Sequence, residues 1–476
     1  MRSSAATLLV LAVLCAATAA LAQQQASSQL AARDAPTREV AARIIGGALT
    51  DGGAMRGLTG LCDGVGPRLS GSAGAAAAVA WAADRFKQDG VSVKLEKVMV
   101  PHWVRGNLER GELVARPGAA ALALSLTALG GSGPTPESGL TAEVLEVHSL
   151  AEVPALGEKA KGKIILFQHN MTVAKEYGEL GELRGKGPIA AQKAGAVAAL
   201  VRSLSTASLR TPHTGATRVD AAAGPFPSAA LAAEDAELLH RLLEAGPVKV
   251  KLWLSAHALP DVESANVVAE VRGSEKPDEI VLIGAHLDSW DLAQGAVDDG
   301  AGVAIAMESL RLIAKEKPRR TVRAVLFMNE ENGLRGGEGY AKEHASEVGK
   351  HVAALEADSG SGRPLSVQVH GGAGAADLLR PWMLPLATLG CEATADSPDA
   401  GGADVSPLAN VPDPVPMVSV RQDSSRYFDL HHTAADTLDK VKPFELAQAT
   451  AAFAWTAFAL AQMPGTLPRP EPKPAR

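Results

Sequence analysis

Cysteine, aromatic residues and runs of positive charge are all scarce in this 476-residue chain. Of its three cysteines, Cys15 falls inside an amino-terminal apolar run, so cleavage after Ala22 leaves Cys62 and Cys391. Two cysteines allow one disulfide in an oxidising compartment, or two buried thiols. Cysteine-based metal binding and nucleophilic catalysis have almost nothing to work with. Aromatics make up only 4% of residues, while alanine and glycine abound; we read this as genomic bias rather than function. With a net charge of -7 and no basic run, nucleic acid is excluded as a partner. The apolar runs fall short of a membrane span of about 20 residues. Ala6 to Ala19 is too short, and Phe444 to Gln462 is interrupted by Glu445 and Gln448, so it reads as a buried helix.

The chain does have the composition of a soluble globular protein, 46% hydrophobic and 21% charged, and a length suited to two or three domains. Arg2, the apolar run and Ala20-Leu21-Ala22 form a signal peptide over residues 1–22. Leu14 is too bulky for a lipoprotein site at Cys15. The mature protein is therefore expected to be secreted or periplasmic, with no stable membrane association after cleavage.

Residues 23–37 read as a loose leader, and a helix follows over 38–49. Asp63 to Ser72 is a turn-rich loop, and Ala75 to Gln88 a helix. Val91, Val93 and Leu95 alternate with Ser92, Lys94 and Glu96, which predicts a strand. Residues 109–258 read as an inserted β-rich domain with few helices. Within it, Lys163 to Phe167 and Gly195 to Val201 are strands and Pro188 to Ala194 a helix. From Ser264 the pattern alternates strand and helix, predicting an α/β fold. It has helices over 299–316, 333–348 and 374–389, and a strand over 415–420. The catalytic domain is thus assigned to residues 38–108 and 259–463, and 464–476 to a disordered tail.

Three apolar runs end on metal-type ligands. Ile280 to Ala285 delivers His286, Val322 to Met328 delivers Glu330 and Glu331, and Val352 to Ala357 delivers Asp358. In an open α/β sheet the chemistry sits outside the carboxyl ends of the strands, so these residues converge. Adding Asp298 and a histidine from His431-His432 gives a donor set suited to two zinc ions. Asp298, in a glycine-rich loop opening a helix, can give one oxygen to each ion; the alternative is a simple helix cap. His286 and Asp288 have the spacing of a ligand and the carboxylate that orients it. Glu330 and Glu331 point in different directions, so one can bind metal while the other moves a proton. Taken alone, they would be two surface acids. Spacing does not choose between His431 and His432.

The segments Gly284 to Asp291, Gly295 to Gly300, Asn329 to Gly333, Glu356 to Asp358 and His431 to Thr433 with Asp436-Thr437 resemble the co-catalytic dizinc aminopeptidase family. Gly402 to Leu408 and the loop Asp63 to Ser72 extend the likeness, closest to the carboxypeptidase Q branch. The resemblance implies a three-layer α/β sandwich around a mixed, mostly parallel sheet, with an inserted protease-associated domain. It implies that His286 and Asp358 bind one zinc, that Glu331 and His432 bind the other, and that Asp298 bridges. A hydroxide held between the metals would attack the scissile carbonyl, with Glu330 as the general acid/base that shuttles the proton. Asp288, Asp299 and Asp436 would stand behind the ligands. A cis Asp298-Asp299 peptide, a homodimer and short peptide or dipeptide substrates are also implied. Tyr427 and His431 are candidates for the oxyanion donor. A metal-dependent deacylase on a non-peptide amide and a non-catalytic binding relative are the competing readings.

Overall fold

The computed structural model describes residues 37–472 apart from 208 and 219. The expected signal peptide, most of the leader and the last four residues lie outside the described residues.

One mixed sheet carries the site. Its strands run in the order Ser92–Val104, His257–Val271, Arg320–Phe327, Lys276–His286, His351–Glu356, Met417–Gln422, Pro364–His370 and Ala393–Asp396. The four from Arg320–Phe327 to Met417–Gln422 are mutually parallel, and the outermost pair beyond them is too. Antiparallel pairing of Ser92–Val104 with His257–Val271, of the latter with Arg320–Phe327, and of Pro364–His370 with Met417–Gln422 makes the sheet mixed. The central strands carry continuous apolar runs, Ile280 to Ala285, Ala324 to Phe327 and Val352 to Leu355, because both faces are covered. Val281, Ile283 and Ala285 pack with the helices Gly53–Gly64, Ala301–Ala314 and Pro443–Gln462. Leu282 points the other way, onto Phe327, Tyr340 and Val405.

Residues 109–254 form a second sheet. It is not helix-poor as expected. Helix Tyr177–Lys193, 17 residues long, covers one face through Leu183 and Ala191. Helix Ala233–Ala245 covers the other through Ala236 and Leu239. Only the end of the first helix was legible, because Gly178, Gly181, Gly185, Gly187 and Pro188 are all poor helix formers.

Four other expectations need correction. Regular helix starts at Ala301 rather than Asp299, since Asp298 and Asp299 hold non-helical backbone. The helix over 333–348 is a shorter one, Arg335–Glu343, followed by a 3-10 segment over Ala345–Lys350. In strand Ser92–Val104 the alternation breaks partway: Val93 packs against the core, but Leu95 is 48% exposed and Glu96 5% exposed, because Glu96 pairs inward with His344. Residues 464–472 are docked rather than loose: Leu467 is buried, and Arg469 donates to the carbonyls of Val348, Gly349, His351, Asp413 and Pro414. Cys62 and Cys391 are free, buried thiols. No helix among the described residues is long and apolar enough to cross a membrane.

Candidate metal centre

His286 is the last residue of its strand, and Glu330-Glu331 and Asp358 follow the ends of the two strands paired on either side of it. Strand Met417–Gln422 runs the same way, so the chain beyond it returns His431 and His432 to the same edge. Asp298 and Asp299 lie in the irregular turn Ala296–Gly300, and the peptide between them is cis.

These side chains converge around Asp298. Its Oδ1 lies 3.1 Å from His286 Nε2 and its Oδ2 lies 3.3 Å from His432 Nε2. Glu331 Oε2 is 3.1 Å from His432 Nε2, and Asp358 Oδ1 is 3.8 Å from His286 Nε2. Each histidine's other nitrogen is committed to a backbone carbonyl: His286 Nδ1 to Asp288 at 3.0 Å, His432 Nδ1 to Thr214 at 3.1 Å. The bonding network thus assigns the proton to Nδ1, which leaves both Nε2 lone pairs aimed at the centre, as metal ligation requires. His431 stacks on His432 with ring centroids 3.5 Å apart, and its Nε2 is 3.6 Å from Asp298 Oδ2. Among the acids its Nε2 pairs with Asp298, whereas His432 Nε2 reaches both Asp298 and Glu331.

The donor set fits two divalent cations. Asp298 Oδ2 is buried without a hydrogen-bond partner. Burial pushes Glu330 up to about 8, Asp358 up to about 6, and Glu331 well above the usual carboxylate range. Three acids crowded beside Asp298 at one largely buried site cannot all carry charge unless cations compensate them. Imidazole nitrogen and carboxylate oxygen are the donors zinc takes in catalytic sites.

Asp288 is placed differently from its expected role. Its carboxylate stands 4.0 Å from His286 Nδ1, and its backbone carbonyl orients the ring instead. The carboxylate accepts from the backbone N–H groups of Asn329 (2.7 Å), Glu330 (3.1 Å) and Glu331 (3.4 Å) and so shapes the acidic turn. Asp299 accepts from the N–H of His286 and of Gly302, each at 3.0 Å. Asp436 accepts from Val297 and Asp298, fixing the Asp298 turn from outside. Glu330, Asp358, Tyr427 and His431 line a cavity of about 290 Å³ beside the cluster.

Several residues at the site carried no expectation. Arg68 is fully buried and donates to the carbonyls of Leu287 (2.7 Å), Gln294 (2.6 Å) and Gly295 (2.8 Å), tying the loop 63–72 to the two loops beneath the cluster. Only the turn-rich character of that loop hinted at such a part. Tyr177, Arg184 and Thr214 come from the second sheet's layer and have no signal in sequence; only the fold brings them here.

Residues 266–457 match the family described as Peptidase family M28. Carboxypeptidase Q of Rattus norvegicus is 38% identical over 413 residues, spanning 86% of this chain and 85% of the relative. A crystal structure of a Peptidase M28 precursor from Shewanella amazonensis superposes with a TM-score of 0.87 at 38% identity, covering 92% of this chain and all of that one. BSAP, a zinc aminopeptidase from Bacillus subtilis, shares the fold at a TM-score of 0.62 and 20% identity, over 86% of this chain and 95% of its own. Near-full-length likeness to the rat protein, joined to the convergent donor set, means that this chain belongs to peptidase family M28.

Proposed function

We propose that this M28 metallo-exopeptidase uses two zinc ions to hydrolyse dipeptides or short peptides with a free amino end, as a secreted or periplasmic homodimer. One observation carries the site assignment: Asp298 offers separate oxygens to His286 and His432, each of which is locked with Nε2 inward.

His286 and Asp358 would hold one ion, Glu331 and His432 the other, and Asp298 both. When bound, the ions would acidify a water and polarise the scissile carbonyl. Glu330 takes the proton of the attacking water on a carboxylate oxygen and returns it to the departing amine. Asp288 accepts from the Glu330 backbone N–H, and the Glu330 side chain lines the cavity. Tyr427 lines the cavity with Glu330 and Asp358 and stands where it can donate to a developing oxyanion. Residues 109–258 act as a protease-associated-like layer that closes one wall of the cavity with Tyr177 and Arg184 and limits substrate size.

The test is metal content together with hydrolysis of a dipeptide and aminoacyl-amide panel, for wild type and Glu330→Gln. Two zinc per chain in both proteins, with cleavage lost by about 10²–10⁴-fold in the variant, is the expected result. Two zinc with no peptide cleaved by either protein points to a deacylase. Failure to take up zinc removes the hydrolytic site.

A further inference from the structure

Arg184 sits on helix Tyr177–Lys193, in the second sheet's layer, yet its side chain lines the catalytic cavity. Among the described residues its guanidinium has no carboxylate partner. Nη2 donates to the Tyr177 hydroxyl at 2.9 Å. Nη1 stands 3.4 Å from both the Thr214 carbonyl and His432 Nδ1, and the buried Nε has no partner. A half-buried guanidinium with spare N–H groups is a donor site suited to a planar anion.

The backbone is built to place it. Gly215 has a φ of +142°, and a Cβ there would lie 2.4 Å from Arg184 Cζ and 2.6 Å from its Nε. The Thr214-Gly215 segment is itself clamped to the site: Thr214 N–H donates to the His432 carbonyl at 2.9 Å, and the Thr214 carbonyl accepts from His432 Nδ1. The Tyr177 ring, 5.4 Å from Arg184 Cζ, continues into Phe428 and His431 as an aromatic wall.

We infer that Arg184 binds the terminal carboxylate of the substrate's departing residue and thereby restricts the enzyme to scissile bonds one residue from a free carboxyl end. Distance supports this. Only the width of the His432 ring separates Arg184 from Asp298 and Glu331. One residue of extended chain spans at most about 3.6 Å, so a carboxylate on Arg184 leaves room for a single residue beyond the reacting carbonyl. Side chains of that residue would lie against Tyr177 and Phe428.

The inference rests on the hydrolytic function proposed above, and its test separates the two. We would measure kcat/KM for L-Ala-L-Ala and for its carboxamide, in the zinc-loaded wild type, Arg184→Gln and Arg184→Lys. Zinc content, and calorimetric affinity for the reduced-bond analogue as free acid and as amide, would be read alongside. Wild type should prefer the free acid by at least roughly tenfold, the yield of one charge-assisted pair. Arg184→Gln should bring the ratio close to one, mainly through KM, and should lose the analogue's free-acid preference. Arg184→Lys should restore part of it, as a point charge without the fork. Equal cleavage of acid and amide by wild type overturns the inference while leaving the peptidase intact. So does an Arg184→Gln enzyme that loses zinc or slows on both substrates alike, which would make Arg184 a support for His432. No cleavage of either substrate by wild type overturns both.

Discussion

The two carboxylate oxygens of Asp298 face different histidines, Oδ1 toward His286 and Oδ2 toward His432, each within 3.3 Å. Asp298→Asn replaces one of these oxygens with an NH₂ that cannot ligate. The expected outcome is loss of at least one zinc per chain and an affinity for the other weakened by about 100-fold or more, beyond the 10- to 100-fold typical of losing a group behind the ligands. Metal analysis after dialysis against a buffered zinc pool reads this directly. Full retention of two zinc ions would remove Asp298 as the shared ligand.

Asp288 supports the site through three backbone N–H groups, not through the imidazole. Asp288→Asn keeps one acceptor oxygen and turns the other into a donor facing N–H groups. Leaving buried donors unpaired costs on the order of 1–3 kcal/mol. The variant should unfold at lower denaturant and lose kcat by about 10- to 100-fold, while His286 keeps its orientation through the backbone carbonyl. A chemical denaturation curve and a rate measurement on the same sample decide it; a rate loss without a stability loss would contradict this assignment.

Much of the site was legible because parallel strands deposit their next residues on one edge, so His286, Glu330-Glu331 and Asp358 needed only the apolar runs before them. What stayed hidden has physical reasons. His431 and His432 are adjacent, so spacing left them open and the family resemblance named His432; its φ of +62° and its bond to Thr214 turn its ring inward to Glu331. A His-x-Asp spacing says that the two residues are close, not that the carbonyl of Asp288 outcompetes its carboxylate. Glycines masked helix Tyr177–Lys193, and with it the approach of Arg184. The break in alternation at Leu95 and Glu96 was hidden because the partner that makes a buried Glu96 acceptable, His344, lies far away in the chain.

Arg68 presents one guanidinium to three carbonyls on two loops. Arg68→Met fills much of the same volume but leaves those carbonyls buried without donors, so a loss on the order of 3 kcal/mol or more is expected. Arg68→Lys should not rescue it, because a single ammonium on a flexible stem cannot reproduce the fork. Equilibrium unfolding of both variants checks this: a stable lysine variant would show that charge, not geometry, is what the site requires.

Glu96 and His344 form a buried pair away from the metal centre, 3.1 Å apart, with Lys94, Glu347 and Arg323 also close. Burial pushes the His344 imidazole down, but its bonds to Glu96 and Glu347 outweigh that, and it is raised above its ordinary 6.5. Burial pushes Glu96 up, and His344 with Lys94 more than reverse it, so it falls below 4.5. A raised histidine contributes stability that is complete below 6.5 and lost as pH climbs through its folded value. A lowered carboxylate contributes stability that is complete above 4.5 and lost as pH falls through its folded value. The pair is therefore worth most between about pH 4.5 and 6.5. Glu96→Gln should cost on the order of 1–3 kcal/mol in that window and progressively less toward pH 8. The His344 ring should also titrate lower in the variant than in the wild type. Denaturation at pH 5.5 and 8, with a nuclear magnetic resonance titration of His344, tests both; an equal loss at the two pH values would mean that Glu96 stabilises by packing rather than through its charge.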